Sequence, residues 1–100
     1  MQTVEIKELS TNDLDAILAI QRSAYIPELN EGKAAFFYKL KMSPITCLGA
    51  FIENQIYGYI FAQPYKFGEI IPLDKNTHQI PENPDCMYIH DLAIDRKSVV

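Results

Sequence analysis

The chain has 100 residues, of which 48% are hydrophobic and 22% are charged, and its formal net charge is −4. This composition is typical of a globular protein with at most one domain, and it excludes an intrinsically disordered chain. Nine basic residues against thirteen acidic ones, with no basic cluster of useful size, argue against a nucleic-acid partner.

Two elements are predicted at the N-terminus, a strand followed by a helix. Residues 3–9 alternate between apolar and polar side chains, which predicts a half-buried strand with Val4 and Ile6 on one side. Ser10 is a good N-cap residue, and apolar side chains follow it at helical spacing. We therefore expect a first helix that ends at about Ser23.

A second helix is predicted between two prolines. Pro27 breaks the first helix, and Pro44 disfavours helical geometry in the residue before it, so the second helix should end at Ser43. Three apolar side chains of this segment are interpreted as core: Phe36, Phe37 and Leu40. The neighbouring Lys39 and Lys41 are interpreted as a solvated helix face.

A β-hairpin is predicted after the second helix. Residues 46–52 form a continuous apolar run, which predicts a strand that is covered on both faces. Residues 53–55 are a short polar turn, and residues 56–63 predict the return strand, which Pro64 ends. Gly58 inside that strand indicates a close backbone approach or a bulge.

The last part of the chain predicts a long loop and one more strand. Residues 64–86 carry four prolines, and loops of that length in a compact domain are usually functional or mobile. His78 in this loop is interpreted as solvated. Residues 86–94 predict a strand and residues 95–98 a polar turn. The order β-α-α-β-β-β indicates an α+β fold with a mixed, mostly antiparallel sheet.

The cysteines and the N-terminus indicate the compartment. Cys47 and Cys86 show no metal-ligand spacing, so no metal site is expected, and they are interpreted as reduced, partly buried thiols. The alternating N-terminus is neither a signal peptide nor a membrane span. We therefore expect a cytoplasmic protein with no membrane partner.

Residues 87–95 resemble a characteristic segment of the GNAT superfamily of acetyl-CoA-dependent N-acetyltransferases. Their sequence, Met-Tyr-Ile-His-Asp-Leu-Ala-Ile-Asp, is similar to the family strand of the form hydrophobic-x-x-Leu-Ala-Val-x-Pro. The version found here resembles a branch that acetylates small amines, akin to the aralkylamine enzymes. Four further segments resemble that branch: residues 25–29, 44–47, 56–59 and 84–86. The resemblance covers the whole chain and implies the opening of a GNAT fold.

One family feature is missing from this sequence. In the family, a loop of the form Arg/Gln-x-x-Gly-x-Gly/Ala follows this strand, and its N–H groups bind the cofactor pyrophosphate. Here no glycine follows Gly68. We therefore expect residues 1–100 to be the N-terminal portion of a GNAT N-acetyltransferase domain, without the pyrophosphate-binding loop, the C-terminal strands and the usual general acid. The chain alone is expected to be inactive.

The resemblance implies transfer of an acetyl group from acetyl-CoA, as co-substrate, to a small-molecule primary amine. His90 is the candidate base, because imidazole titrates near working pH and a histidine at this place lies on the proton path of the related enzymes. The alternative is that the His90 side chain only forms a hydrogen bond to a backbone group within the sheet. Tyr88 either relays a proton or packs. Simple alternation places four side chains on one face: Tyr88, His90, Leu92 and Ile94. Asp91 would face away, unless a bulge alters the phase.

The remaining site residues are also implied by the resemblance. The family strand pairs its backbone with the pantetheine arm, which here points to the main chain of three residues: Leu92, Ala93 and Ile94. An N–H near Leu92 would polarise the thioester carbonyl. Three residues are expected to form one wall of the acceptor pocket: Tyr25, Ile26 and Pro27. Alternatively, Tyr25 only covers the end of the first helix.

Three hypotheses remain open at this stage. The chain is part of a GNAT acetyltransferase, or it is a non-catalytic binding or dimerising module derived from one, or it is an unrelated α+β domain. In the first two cases the last strand keeps an open edge and part of the sheet stays bare, which invites pairing. The chain alone is therefore expected either to be poorly soluble or to form a homo-oligomer through that edge.

Overall fold

A computed structural model describes residues 3–72 and 79–95. Six elements follow one another in the chain: strand β1 (Glu5–Glu8), helix α1 (Leu14–Ala24), helix α2 (Lys33–Met42), and strands β2 (Cys47–Ile52), β3 (Gln55–Tyr65) and β4 (Cys86–Ile94). Short 3-10 helices precede α1, α2 and β2. The predicted order β-α-α-β-β-β is confirmed, and so is the α+β class. His78 and most of the predicted turn at 95–98 lie outside the described residues.

Both helices begin and end where local chemistry requires. The backbone N–H of Ser10 donates to the Asp13 carboxylate at 2.8 Å, just before α1. Tyr25 has an extended backbone and ends α1, and Pro27 opens the 3-10 turn that follows. The α2 helix ends before Ser43, as the proline after it predicts.

The four strands form one antiparallel sheet in the order β1-β2-β3-β4. A two-residue turn joins β2 to β3, and both of its residues, Glu53 and Asn54, have positive φ, as in a type I′ hairpin. Tyr57 is an extra residue of β3 opposite β2, which makes a bulge beside Gly58. A Cβ atom on Gly58 would lie 3.1 Å from the Ala93 carbonyl oxygen. Both expectations for Gly58 are therefore confirmed.

Pro64 does not end β3, contrary to the prediction from sequence. It lies within the strand, opposite Met87 of β4. The carbonyl of Tyr65 accepts a hydrogen bond from the N–H of Asp85, on the β4 side. Because backbone groups of neighbouring residues in a strand point in opposite directions, the nitrogen of Pro64 points to the other side. The β2 strand pairs no further along β3 than Phe61. A missing N–H at position 64 therefore removes no ladder hydrogen bond.

The core lies between the two helices and one face of the sheet. Its buried side chains come from every element except β1, and those of the helices are Leu14, Ile17, Ile20, Phe36 and Leu40. Phe36 packs on Phe61 and Tyr59, with ring centroids 4.9 and 6.0 Å apart. Cys47 is fully buried there, and loss of hydration raises the pKa of its thiol to about 11.

The other face of the sheet carries exposed apolar side chains, and no described element covers it. Its residues include Ile6, Leu48, Ala50, Ile60, Leu92 and Ile94, which we call the open face. Two predictions are wrong for this reason. Residues 46–52 alternate between buried and half-buried positions and are covered on one face only. Strand β1 is exposed throughout rather than half-buried, because Val4 and Ile6 lie on its uncovered side.

Candidate functional site

The site is built around a bulge in β4. Phe61 of β3 pairs with Asp91, whereas the next residue, Ala62, pairs with Ile89. His90 is therefore the extra residue of β4, and the side-chain alternation changes phase at that point. His90 and Asp91 consequently both face the helices. The expectation that Asp91 faces away from His90 is therefore wrong. The expectation that His90 lies on the same face as Leu92 and Ile94 is also wrong.

The His90 side chain meets a buried ion pair. Its Nε2 atom lies 3.1 Å from Oε1 of Glu31, in the connection between α1 and α2, and the His90 side chain is 4% exposed. The same Glu31 oxygen accepts a hydrogen bond from the ammonium of Lys39. Lys39 is 3% exposed, so its interpretation as a solvated residue is wrong, whereas Lys41 is exposed as expected. The partner of His90 is a side chain, not a backbone group.

Two hydrogen bonds fix the backbone of Glu31 against α1. The side-chain amide of Gln21 donates to the Glu31 carbonyl at 2.9 Å, and its oxygen accepts from the Glu31 N–H at 2.7 Å. Gln21 is itself buried. This pairing imitates a backbone ladder and satisfies both polar groups of a segment without regular structure. The carboxylate of Glu31 is thus held at a defined position beside β4.

Asp91 lies next to a pair of tyrosines. The Tyr59 hydroxyl donates to its carboxylate at 3.0 Å. Burial raises the pKa of Asp91, and the nearby carboxylate of Glu31 also raises it, against the hydrogen bond from Tyr59 that lowers it. Burial likewise raises the pKa of Tyr59 and of Tyr25, and the charge on Asp91 adds to both shifts. Each hydroxyl is therefore a proton donor in a hydrogen bond rather than an anion.

A cleft of about 180 Å³ opens between the α1–α2 connection and β4. Five residues line it: Tyr25, Leu29, Glu31, His90 and Asp91. Of the three residues predicted for the acceptor wall, Tyr25 lines this cleft, and its hydroxyl donates to the Leu92 carbonyl at 2.6 Å. Ile26 and Pro27 are exposed and do not line it, although Leu29 does.

Tyr88 lies beside His90 but outside this cleft. Its ring is 6.0 Å from the His90 ring and 5.6 Å from that of Tyr65, measured between centroids. Its hydroxyl accepts a hydrogen bond from the N–H of Ile71 at 3.3 Å. These contacts fit the packing alternative for Tyr88 better than the relay.

The outer edge of β4 has no neighbouring strand among the described residues. The N–H of Asp95 donates to the Tyr57 carbonyl at 2.8 Å, so the backbone of Asp95 faces β3. Backbone groups alternate in direction along an antiparallel strand, which directs those of Ala93 to β3 and those of Leu92 and Ile94 outward. Of the three predicted cofactor-binding positions, Leu92 and Ile94 direct their backbone groups to the outer edge, where the Leu92 carbonyl accepts from Tyr25, and Ala93 contributes a buried methyl group.

Glu31, Lys39, Gln21 and Tyr59 are site residues that the sequence reasoning missed. Their signal was weak, since each is a single polar or aromatic residue in an element interpreted as loop, solvated face or core. Within residues 3–72 and 79–95, no cluster of metal-ligating side chains occurs. In the same part of the chain, neither helix has the length and apolarity to cross a bilayer.

No protein-family model and no curated protein matches this sequence. Among solved structures, the chain is similar to GphF, described as a GNAT-like decarboxylase in complex with isobutyryl-CoA. The TM-score is 0.75 at 18% sequence identity, and the likeness covers 95% of this chain and 50% of that one. The chain thus spans about half the length of this neighbour. At such low identity the likeness shows the fold alone.

Proposed function

Since the chain has the architecture of a partial GNAT fold, we propose that it forms the β4 side of the active site of an acetyl-CoA-dependent N-acetyltransferase. The acceptor in this proposal is a small-molecule primary amine, and the location is the cytoplasm. The observation that supports it most is the open edge of β4 beside a cleft that contains His90. The outward N–H of Leu92 and the outward N–H and C=O of Ile94 fit a pantetheine arm, which would pair with them like an added strand.

The residues present supply two of the functions that acetyl transfer needs. Acetyl-CoA supplies an acyl group activated as a thioester. The N–H of Leu92 would donate to the acyl oxygen as negative charge develops there. His90 would accept the proton that an ammonium must lose before its nitrogen attacks, directly or through a water. Tyr25 would form a wall of the amine pocket, since it lines the cleft and reaches the Leu92 carbonyl.

Replacing His90 with glutamine tests this assignment. The assay uses a polypeptide that joins this chain to the remaining half of a GNAT fold, with acetyl-CoA and a panel of alkyl and aralkyl primary amines. Acetylated amine is measured by mass spectrometry, and released thiol by colorimetry. We expect the rate to fall by about 10²- to 10⁴-fold, the usual contribution of a general base.

The control variant His78→Gln changes the other histidine of the chain and should keep the full rate. This chain alone should show no transfer. A parallel reaction offers a 2-carboxyacyl-CoA and measures release of carbon dioxide, because the neighbour is described as a decarboxylase. Decarboxylation without acetyl transfer would show that the proposed reaction is wrong. A His90→Gln rate equal to that of the wild type would show that His90 is not the base.

A second candidate function is a non-catalytic module that dimerises. The open face and the open edge of β4 favour it, because exposed apolar surface beside an unpaired strand promotes association. In this case we expect the chain to elute as a dimer or larger species, with its mass measured by light scattering. Ile94→Lys, at a position 58% exposed on the open face, should shift it to monomer.

Ile26→Lys is the matched control, since Ile26 is 59% exposed but belongs to the connection between α1 and α2 and not to the open face. It should leave the measured mass unchanged. A wild-type chain that stays monomeric at high concentration would eliminate the dimerising module.

A further inference from the structure

The two ring nitrogens of His90 have different surroundings. Nε2 lies 3.1 Å from Glu31 Oε1. Nδ1 is buried and has no hydrogen-bond partner within the described residues. A buried nitrogen without a partner is costly, and such atoms commonly mark the place of a water or a ligand. His90 is also one of the residues that line the cleft.

The contacts of Glu31 decide which nitrogen of a neutral His90 carries the proton. Lys39 is a donor only, and its ammonium contacts the same oxygen, Oε1, that faces His90. That oxygen is therefore an acceptor toward both partners. A neutral imidazole has one donor and one acceptor nitrogen, so Nε2 must be the donor here. The lone pair then resides on Nδ1.

We propose that Glu31 is a positioning residue, which holds neutral His90 in the Nε2–H tautomer and so makes Nδ1 the atom that accepts the proton. The proton comes from the attacking amine or from a water bound to it, so this step rests on the proposed function. Transfer to Nδ1 gives an imidazolium with an N–H at both nitrogens. Its positive charge lies beside the Glu31 carboxylate, and the proton later leaves from Nδ1 to water.

The surroundings keep this geometry fixed. Gln21 holds the backbone of Glu31 through two buried hydrogen bonds, at 2.9 and 2.7 Å. Lys39 holds its carboxylate from α2. From β4, Asp91 adds a second carboxylate near the ring, and Tyr88 lies against the ring itself. Helices α1 and α2 therefore set the position of Glu31, which in turn contacts the imidazole.

The test is a nuclear magnetic resonance measurement on the ¹⁵N-labelled chain, without any substrate. Long-range proton–nitrogen correlations report which ring nitrogen is protonated, and His90→Gln assigns the signals. We expect a single Nε2–H tautomer with a ring N–H that exchanges slowly. Glu31→Leu combined with Lys39→Met should lose the slow N–H and give mixed tautomers.

The double variant removes both charges together, which avoids leaving one buried charge unpaired. Glu28→Gln is the control, because Glu28 is exposed in the same connection. An Nδ1–H tautomer in the wild type would overturn the proposal, and so would an unchanged signature in the double variant. The transfer assay is independent of this result. If the spectra are as expected but no acetyl transfer is detected, the positioning role of Glu31 stands and the proposed reaction is wrong.

Discussion

Replacing Phe36 with alanine is expected to lower the free energy of unfolding by about 3–5 kcal/mol, the usual cost of deleting a buried aromatic ring. Phe36 is fully buried, and its ring packs on the rings of Phe61 and Tyr59 in β3. Its removal would leave a cavity between α2 and β3 that rigid strands cannot close. Domains of this size have about 5–15 kcal/mol of total stability, so urea denaturation should show a large shift of the midpoint.

Phe37 provides the matched control. It is the next residue of α2, but it is 44% exposed, and its ring lies 5.5 Å from the Lys41 ammonium rather than in the core. Phe37→Ala is therefore expected to cost less than about 1 kcal/mol. Equal losses for the two variants would mean that α2 does not present the face described above. The sequence interpretation that both phenylalanines are core would then be correct.

Replacing Lys39 with methionine should destabilise the chain by about 3–5 kcal/mol, although methionine is apolar and similar in length. The variant leaves the Glu31 carboxylate buried without its ammonium partner, and the hydration that it lost on folding is not restored. Urea denaturation at neutral pH measures the loss. The control Lys41→Met lies two residues further along α2 at an exposed position, and it should change stability by about 0.5 kcal/mol at most.

The double variant Lys39→Met with Glu31→Leu separates charge from packing. If the loss in the single variant comes from a buried carboxylate that lacks the Lys39 charge, removing that carboxylate should recover most of the loss, because apolar replacements of a buried ion pair are often neutral or stabilising. A double variant as unstable as Lys39→Met would show that the methylene chain of Lys39, and not its charge, stabilises this region.

Local patterns were sufficient to predict most elements of the fold. Prolines and helical spacing predicted both helices, and the strand predicted at residues 86–94 coincides with β4. The errors concern which side of a strand another element covers. Residues 46–52 are apolar on both sides, yet helices pack on only one of them. Pro64 is tolerated because β2 stops short of it. Both facts depend on distant parts of the chain, and local sequence does not contain them.

The candidate site was only partly predictable for a related reason. His90 and Tyr25 were identified from the resemblance, and the structure places both at the same cleft. Glu31 and Lys39 were missed, because a glutamate in a polar connection and a lysine on a helix usually face solvent. Only the folded chain shows that they meet. The face to which the Asp91 side chain points depends on the bulge at His90, and β4 contains no glycine or proline that would indicate where a bulge occurs.

The extra residue in β4 changes how many functional groups a short strand can offer. A regular strand gives each face one side chain for every two residues, so adjacent residues never work together. Here, consecutive positions turn an imidazole and a carboxylate toward the same cavity. Deleting that extra residue, His90, would remove the imidazole and restore regular alternation, with Asp91 still facing the helices. The strand would then present one functional side chain to the cavity instead of two.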